Sequence, residues 1–141
     1  MQDESSNILK KIYQICNSCL IKEETKFYGE VLSELGWKNI SKDKERLGEI
    51  LDLFSLISYK KFNVFLSSVV IRTDHDYPGN GYFKLLKSVD ESRYTGKILV
   101  GKNGNRLFNS EMSKTHEFEL RSLRDNTEKI VSLSFEEFMN L

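Results

Sequence analysis

Three consecutive residues, Asp74, His75 and Asp76, have side chains that can bind divalent metal ions. Two carboxylates around a histidine could hold the magnesium or manganese ion that a nuclease site requires. In an extended segment, however, alternation places the two aspartates on one side of the chain and the histidine on the other. Asp and His before a Pro-Gly pair are also typical of a turn. We therefore favour a turn over a metal site, and we expect no metal, no cofactor and no enzymatic activity.

Cys16 and Cys19 form the only cysteine pair, and their spacing raises the question of a zinc or redox site. A second pair of ligands is missing, because His75 and His116 lie far apart and neither belongs to a His-x-x-x-His motif. The surrounding residues show helical periodicity, which places the thiols one turn apart. This pattern favours two half-buried structural cysteines.

Three cations, Lys42, Lys44 and Arg46, lie at the start of a segment with helical periodicity. If this helix is the second of a helix-turn-helix pair, its first turns are placed to contact the phosphates of duplex DNA. Asp43 and Glu45 alternate with these cations and weaken their field. A solvated helix face in a protein-binding domain is therefore the alternative interpretation.

The segment of residues 73–81 contains the only proline and two glycines, which predicts a turn or a wing. Arg72 and Lys84 flank it and would allow the wing to touch a DNA backbone. The backbone N–H groups of Pro78-Gly79-Asn80-Gly81 could also surround a phosphate, although an ordinary tight turn uses the same residues.

The elements that must position these residues begin with three helices. An amphipathic stripe from Ile8 to Leu20 predicts the first helix, and residues 28–35 predict a short second helix that ends at Gly36. A polar turn leads to a third and longer helix, whose apolar stripe consists of Leu47, Ile50, Leu51, Phe54 and Ile57.

The second half of the chain is predicted to be rich in strands. Residues 62–72 indicate a buried strand, and residues 81–89 fit either a short helix or a continuing strand. Residues 96–108 predict a hairpin with Asn103 and Gly104 in its turn. Two further strands are predicted at 116–123 and 128–134, before a last helical turn with a capping box of Ser134 and Glu137.

These elements together predict an α+β protein with a winged helix-turn-helix core and a β-rich C-terminal extension. Residues 1–87 would form the helical, winged-helix domain, and residues 88–141 would form the extension packed on it. A chain of 141 residues is the size of one ordinary domain or of a domain with an appendage.

Composition limits the classes of partner. The 21 Lys and Arg residues balance 21 Asp and Glu residues, which argues against both a strongly basic nucleic-acid binder and an acidic DNA mimic. The polar N-terminus and the shortness of the apolar runs indicate a cytoplasmic protein with no membrane partner. The complete lack of alanine fits an AT-rich coding sequence, which is compatible with a low-GC bacterium, a phage or another mobile element.

Part of the chain resembles the DNA-binding domain of the alkylguanine-DNA alkyltransferases and the alkyltransferase-like proteins. The resemblance is carried by Tyr28-Gly29-Glu30-Val31, Leu35-Gly36 and Arg46-Leu47-Gly48. It implies that Arg46 acts as a finger in the base stack and that Tyr28 helps to turn a nucleotide out. Ser67 and Ser68 stand where the catalytic cysteine of that family is expected, so repair by thiolate attack is excluded.

Residues 47–83 also resemble a group of small uncharacterised prokaryotic winged-helix proteins. The shared pattern appears here as LGEIL, then LSSVV, then PGNGY. This resemblance implies a fold and no particular activity. The two resemblances together cover about residues 25–85.

The predicted function is non-catalytic, regulatory binding of double-stranded DNA through the third helix and the wing. The expected contacts are Tyr28, Lys42, Lys44 and Arg46 on the helices and Arg72 and Lys84 at the wing. The alternative is a protein-interaction module, such as an adaptor, regulator or inhibitor, that does not bind nucleic acid.

Overall fold

The computed structural model describes residues 4–72, 76–94 and 109–140, and this part of the chain is mainly helical. Its elements are α1 (Glu4–Lys22), β1 (Lys26–Phe27), α2 (Tyr28–Glu34), α3 (Ser41–Phe62), a 3-10 turn (Leu66–Val69), β2 (Val70–Ile71), α4 (Asn80–Val89), α5 (Ser110–Asp125), α6 (Thr127–Val131) and α7 (Phe135–Met139). The two strands pair in parallel, with Lys26 opposite Val70 and Phe27 opposite Ile71. In these three stretches no helix has the length and apolar character needed to cross a lipid bilayer.

The prediction of three helices in the first half is confirmed. Gly36 follows α2 with a φ of +71°, the left-handed conformation that glycine adopts without strain. The connection to α3 is held by the Asp43 carboxylate, which accepts a hydrogen bond of 2.8 Å from the backbone N–H of Lys38. Asp43 therefore has a structural role at the start of the helix that carries the predicted DNA contacts.

The buried strand predicted over residues 62–72 is wrong in type, although most of the segment is buried. Within this segment only Val70 and Ile71 are in strand conformation. Two serine hydroxyls of α3 accept hydrogen bonds from backbone N–H groups that a neighbouring strand would otherwise use. The hydroxyl of Ser58 accepts from Leu66 N at 2.9 Å, and the hydroxyl of Ser55 accepts from Ser67 N at 3.1 Å. These side-chain bonds favour the 3-10 turn over an extended ladder.

Of the turn or wing predicted at residues 73–81, the described residues form a turn, and the wing is wrong. The turn at residues 76–79 leads into α4 rather than into a returning strand, and the backbone of Arg72 donates to Tyr77 O at 3.2 Å. Tyr82, Phe83 and Leu86 form the buried face of α4 at helical spacing. The choice between helix and strand for residues 81–89 is thereby resolved as helix.

The strands predicted at 116–123 and 128–134 are wrong, because the first lies in α5 and the second overlaps α6. The apparent alternation around Phe118 does not match the burial, since Phe118 is 60% exposed. The buried positions of α5 are instead Met112, His116, Glu119 and Leu123, which follow helical spacing. Two of these four residues are polar, so a search for apolar periodicity misses the helix.

The capping box of the last helix is confirmed. Ser134 Oγ accepts from Glu137 N at 3.1 Å, and Glu137 Oε1 accepts from Ser134 N at 3.0 Å. The hairpin predicted around Asn103 and Gly104 lies outside the described residues.

The α+β winged-helix fold with a β-rich extension is therefore wrong, and the described chain is a helical assembly with one minimal parallel strand pair. One hydrophobic cluster joins α1, α3 and α7, where the rings of Tyr13 and Phe138 are 4.7 Å apart. A second cluster surrounds α4 and consists of Phe65, Tyr77, Tyr82, Phe83, Leu86, Tyr94 and Met112. The edges of these two clusters leave a cleft between α3 and the start of α4.

Candidate functional site

A cleft of about 460 Å³ separates the α2–α3 pair from the turn that begins α4. This volume lies within the range of small-molecule and cofactor sites. Three of the six predicted DNA contacts line it. The described lining consists of Tyr28, Gly29, Asn39, Lys44, Gly48, Leu51, Asp52, Ser67, Val70, Arg72, Pro78, Gly79, Asn80, Gly81 and Tyr82.

Tyr28 forms one wall of the cleft and fixes α2 against α3. Its hydroxyl donates to Lys44 O at 2.6 Å, and burial raises the pKa of this phenol above its ordinary value. A Cβ added at Gly48 would lie 3.1 Å from the same hydroxyl, so a glycine at this position allows the close approach. Tyr28 therefore positions Lys44, and its hydroxyl is engaged by the protein itself.

Lys44 and Arg72 are the cationic residues in the described lining of the cleft. The side chain of Lys44 is exposed, and its ammonium makes no ion pair with the residues that the structure describes. Arg72 follows β2, and its Cδ lies 3.5 Å from the position that a Cβ on Gly79 would occupy. The arginine stem thus packs along the turn that begins α4.

The start of α4 borders the same cleft. Its N-cap residue is Gly79, which provides no side chain to cap the first turn, and Asn80 and Gly81 are the first helical residues. The N-terminus of a helix carries a partial positive charge, which adds to the charge of Lys44 and Arg72. An anion that enters the cleft therefore meets positive potential from two helices and a strand end.

Asp52 is the acidic residue in the described lining of the cleft, and sequence reasoning did not identify it. It lies eight residues after Lys44 on α3, so Lys44, Gly48 and Asp52 share one face at intervals of four residues. Burial, followed by the negative charge of Glu49, raises the pKa of the Asp52 carboxyl above its ordinary value. The sequence signal that indicates Asp52 is Gly48, a small residue midway between the opposite charges of Lys44 and Asp52 on one helix face.

The floor of the cleft is linked to α5 by a chain of buried hydrogen bonds. The hydroxyls of Tyr82 and Ser68 are 2.6 Å apart, and His116 Nε2 donates to Ser68 O at 2.7 Å. Burial lowers the pKa of His116, which keeps the ring neutral near physiological pH. Sequence reasoning did not find this chain, because its members lie far apart in the sequence.

The remaining predicted contacts lie outside the cleft. Lys42 and Arg46 are exposed on the outer face of α3, which we define as Lys42, Glu45, Arg46, Glu49, Leu53 and Leu56. The Arg46 guanidinium stacks on the ring of Trp37, with Cζ 4.6 Å from the ring centroid. Lys84 is exposed on α4, one turn beyond Asn80. Of the six predicted DNA contacts, three therefore line the cleft and three lie outside it.

The residues considered for a metal site or a reactive thiol lie outside the cleft or outside the described residues. Asp76 is exposed, whereas Asp74 and His75 lie outside the described residues. Within residues 4–72, 76–94 and 109–140, no group of three His, Cys, Asp or Glu side chains is arranged to hold a metal ion. Cys16 and Cys19 are buried free thiols, and burial raises the pKa of both, which disfavours the reactive thiolate.

Comparisons of the chain with protein-family models, with curated proteins and with solved structures give no match. The two resemblances drawn from short motifs therefore stay predictions. Functional inference depends on the cleft itself.

Proposed function

We propose that the protein is a non-catalytic DNA-binding protein whose cleft takes a phosphate of the duplex backbone. The observation that carries this proposal is that Lys44 on α3 and Arg72 after β2 line one cleft. Residues from two distant parts of the sequence supply these charges. Phosphate contacts of this kind provide most of the affinity of non-specific DNA binding.

The surroundings of the cleft extend the same positive surface. Lys84 lies one turn further along α4, and Lys42 and Arg46 lie beside Lys44 at the start of α3. A backbone that crosses the cleft could therefore meet cations before and after it. Glu45 and Glu49 share the outer face with Lys42 and Arg46, so we assign the main phosphate contact to Lys44 and Arg72.

The composition of the cleft favours binding over catalysis. Its described lining includes neither histidine nor cysteine, the residues that most often act as a base or as a thiol nucleophile. The Ser67 hydroxyl receives a hydrogen bond of 2.6 Å from Ser55 Oγ, which holds it in the 3-10 turn. We therefore expect the cleft to hold a phosphate without acting on it, and such contacts position a protein on the duplex without reading its sequence.

The test is fluorescence anisotropy with a labelled random-sequence duplex at salt concentrations from about 50 to 200 mM. We expect binding that weakens steeply with salt, and we expect Lys44→Ala to reduce the salt slope by about one. Lys129→Ala is the matched control, because Lys129 is an exposed lysine on α6 outside the cleft. Absence of binding at the lowest salt, or equal effects of the two substitutions, would refute the proposal.

A protein-interaction module is the second candidate, and the outer face of α3 favours it. Leu53 and Leu56 are 40% and 42% exposed and lie one helical turn apart. Exposed apolar side chains with charged neighbours are common at protein interfaces. If the protein binds no DNA at low salt, capture of a partner that Leu53→Ser and Leu56→Ser abolish would establish this alternative.

A further inference from the structure

Asp52 is an unusual residue for a cleft that binds phosphate. Its carboxylate is half-buried, and it accepts no hydrogen bond from the residues that the structure describes. The helix rise places it about 12 Å along α3 from Lys44, with the small residue Gly48 between them. The cleft therefore has a cation near one end and, near the other, a carboxylate to which no described residue donates a hydrogen bond.

A carboxylate at this position repels a second phosphate and favours a ligand that offers a hydrogen-bond donor. The interior of a DNA backbone offers no donor, because both hydroxyls of each deoxyribose are esterified. A free hydroxyl occurs where a strand ends. The chemistry of Asp52 thus distinguishes a strand end from the middle of a strand.

We infer that the cleft binds the end of a DNA strand, with the terminal 3′-hydroxyl donating to Asp52 and the adjacent phosphate paired with Lys44. This inference rests on the proposed DNA binding and narrows its ligand to DNA ends. Arg72 also lines the cleft, and we assign it to the same phosphate. The hydrogen bond from the 3′-hydroxyl to Asp52 then makes the cleft selective for strand ends, whereas the cations attract any part of the DNA backbone.

The experiment uses three duplexes of one sequence, all labelled internally. The first has 5′-phosphates and free 3′-hydroxyls, the second has 5′-phosphates and 3′-dideoxy ends, and the third is a closed dumbbell without ends. We expect the first to bind about tenfold more tightly than the other two, as a hydrogen bond to a charged group implies. Equal affinity for all three duplexes would overturn the inference.

Two matched variants assign the preference to Asp52. We expect Asp52→Ala to abolish the difference between hydroxyl and dideoxy ends. Glu49→Ala removes the same charge from the neighbouring turn of α3 but does not alter the lining of the cleft, so it should keep the preference. Circular dichroism and thermal unfolding verify that each variant is folded, and Asp52→Asn provides a second substitution. A preference that survives both Asp52 substitutions would overturn the assignment.

The outcomes separate this inference from the proposed function. If the three duplexes bind equally and Lys44→Ala weakens them all, DNA binding stands and the strand-end inference is wrong. If none binds at low salt, both are wrong. A dumbbell with interior ribonucleotides supplies the other source of a sugar hydroxyl. If it binds as tightly as the free 3′-end and depends on Asp52, the ligand is a ribose and the strand-end inference is wrong.

Discussion

Two carboxylates of this protein lie in opposite surroundings. Asp52 lines an open cleft, half-buried and without a hydrogen-bond donor among the described residues. Glu119 on α5 is 1% exposed, and its Oε2 lies 3.2 Å from Nε of Arg93, which is itself mostly buried. Neither carboxylate accepts a hydrogen bond from the described residues, and burial raises the pKa of both carboxyls. Of the two, only Glu119 forms an ion pair with a described residue. The first arrangement leaves a charge available to a ligand, and the second uses a charge to hold the structure.

We call the surroundings of Glu119, which include Tyr59, Asn63, Arg93 and His116, the closed region, and Arg93 makes several contacts in it. Its guanidinium donates to Asn63 Oδ1 at 3.1 Å and to Asn63 O at 2.5 Å, at the left-handed residue that ends α3. It also lies over the ring of Tyr59, with Cζ 5.2 Å from the centroid. Arg93 therefore ties α3 to α5, whereas the ammonium of Lys44 makes no ion pair in the described part of the chain.

The largest effect should come from Arg93→Ala. This change leaves Glu119 buried without its cation, and breaking a buried pair in this way costs about 3–5 kcal/mol of unfolding free energy. Urea denaturation followed by circular dichroism measures it. Arg121→Ala is the control, because Arg121 pairs with Glu117 at 3.8 Å on the surface and should contribute less than about 1 kcal/mol.

If Arg93→Ala costs no more than Arg121→Ala, the closed region does not depend on its ion pair. Replacing both partners, as Arg93→Met with Glu119→Leu, should recover most of the loss, because apolar groups of similar size need no partner. Failure of the double variant to recover stability would assign the loss to the contacts of Arg93 with Asn63 and Tyr59.

Helices with an apolar stripe are predictable from the sequence, whereas a helix that buries polar residues is not. Helices α1, α2 and α3 bury apolar residues at regular spacing, so their pattern is visible without a structure. Helix α5 buries His116 and Glu119, and the polar partners that make this burial tolerable come from residues 68 and 93. A pairing between distant residues leaves no local periodicity, so α5 was mistaken for a strand.

The candidate site was predictable to a similar extent. The charges of Lys44 and Arg72 and the segment Pro78-Gly79-Asn80-Gly81 are visible in the sequence, and the structure places them around one cleft. Asp52 was missed, because an acid in an amphipathic helix looks like an ordinary solvent-facing residue. Asp52 lines a cleft only because the start of α4 packs near α3, and this tertiary arrangement is not visible in the local sequence.

A smaller effect should appear as a pH dependence of the closed region. Burial lowers the pKa of His116 in the folded state, so the unfolded chain takes up a proton more readily. The contribution of this residue to stability is fully present above the unfolded pKa of about 6.5 and is lost as pH falls from that value to the lowered pKa of the folded state.

Urea denaturation at several pH values between about 5 and 7.5 measures this contribution. His116→Gln should show a weaker decline of stability over that range than the wild type, since it retains a donor and has no titrating ring. An identical decline in both proteins would show that other groups cause the acid sensitivity.

The smallest effect on stability should come from the cleft. Because burial raises the pKa of Asp52, its ionised form is slightly unfavourable in the folded state at neutral pH, and Asp52→Asn removes that charge. Lys44→Ala removes an exposed side chain without an ion pair to any described residue. We expect each change to alter the unfolding free energy by no more than about 0.5 kcal/mol, while DNA affinity changes. A loss as large as that of Arg93→Ala would mean that the cleft charges hold the fold together, and the distinction between the two regions would fail.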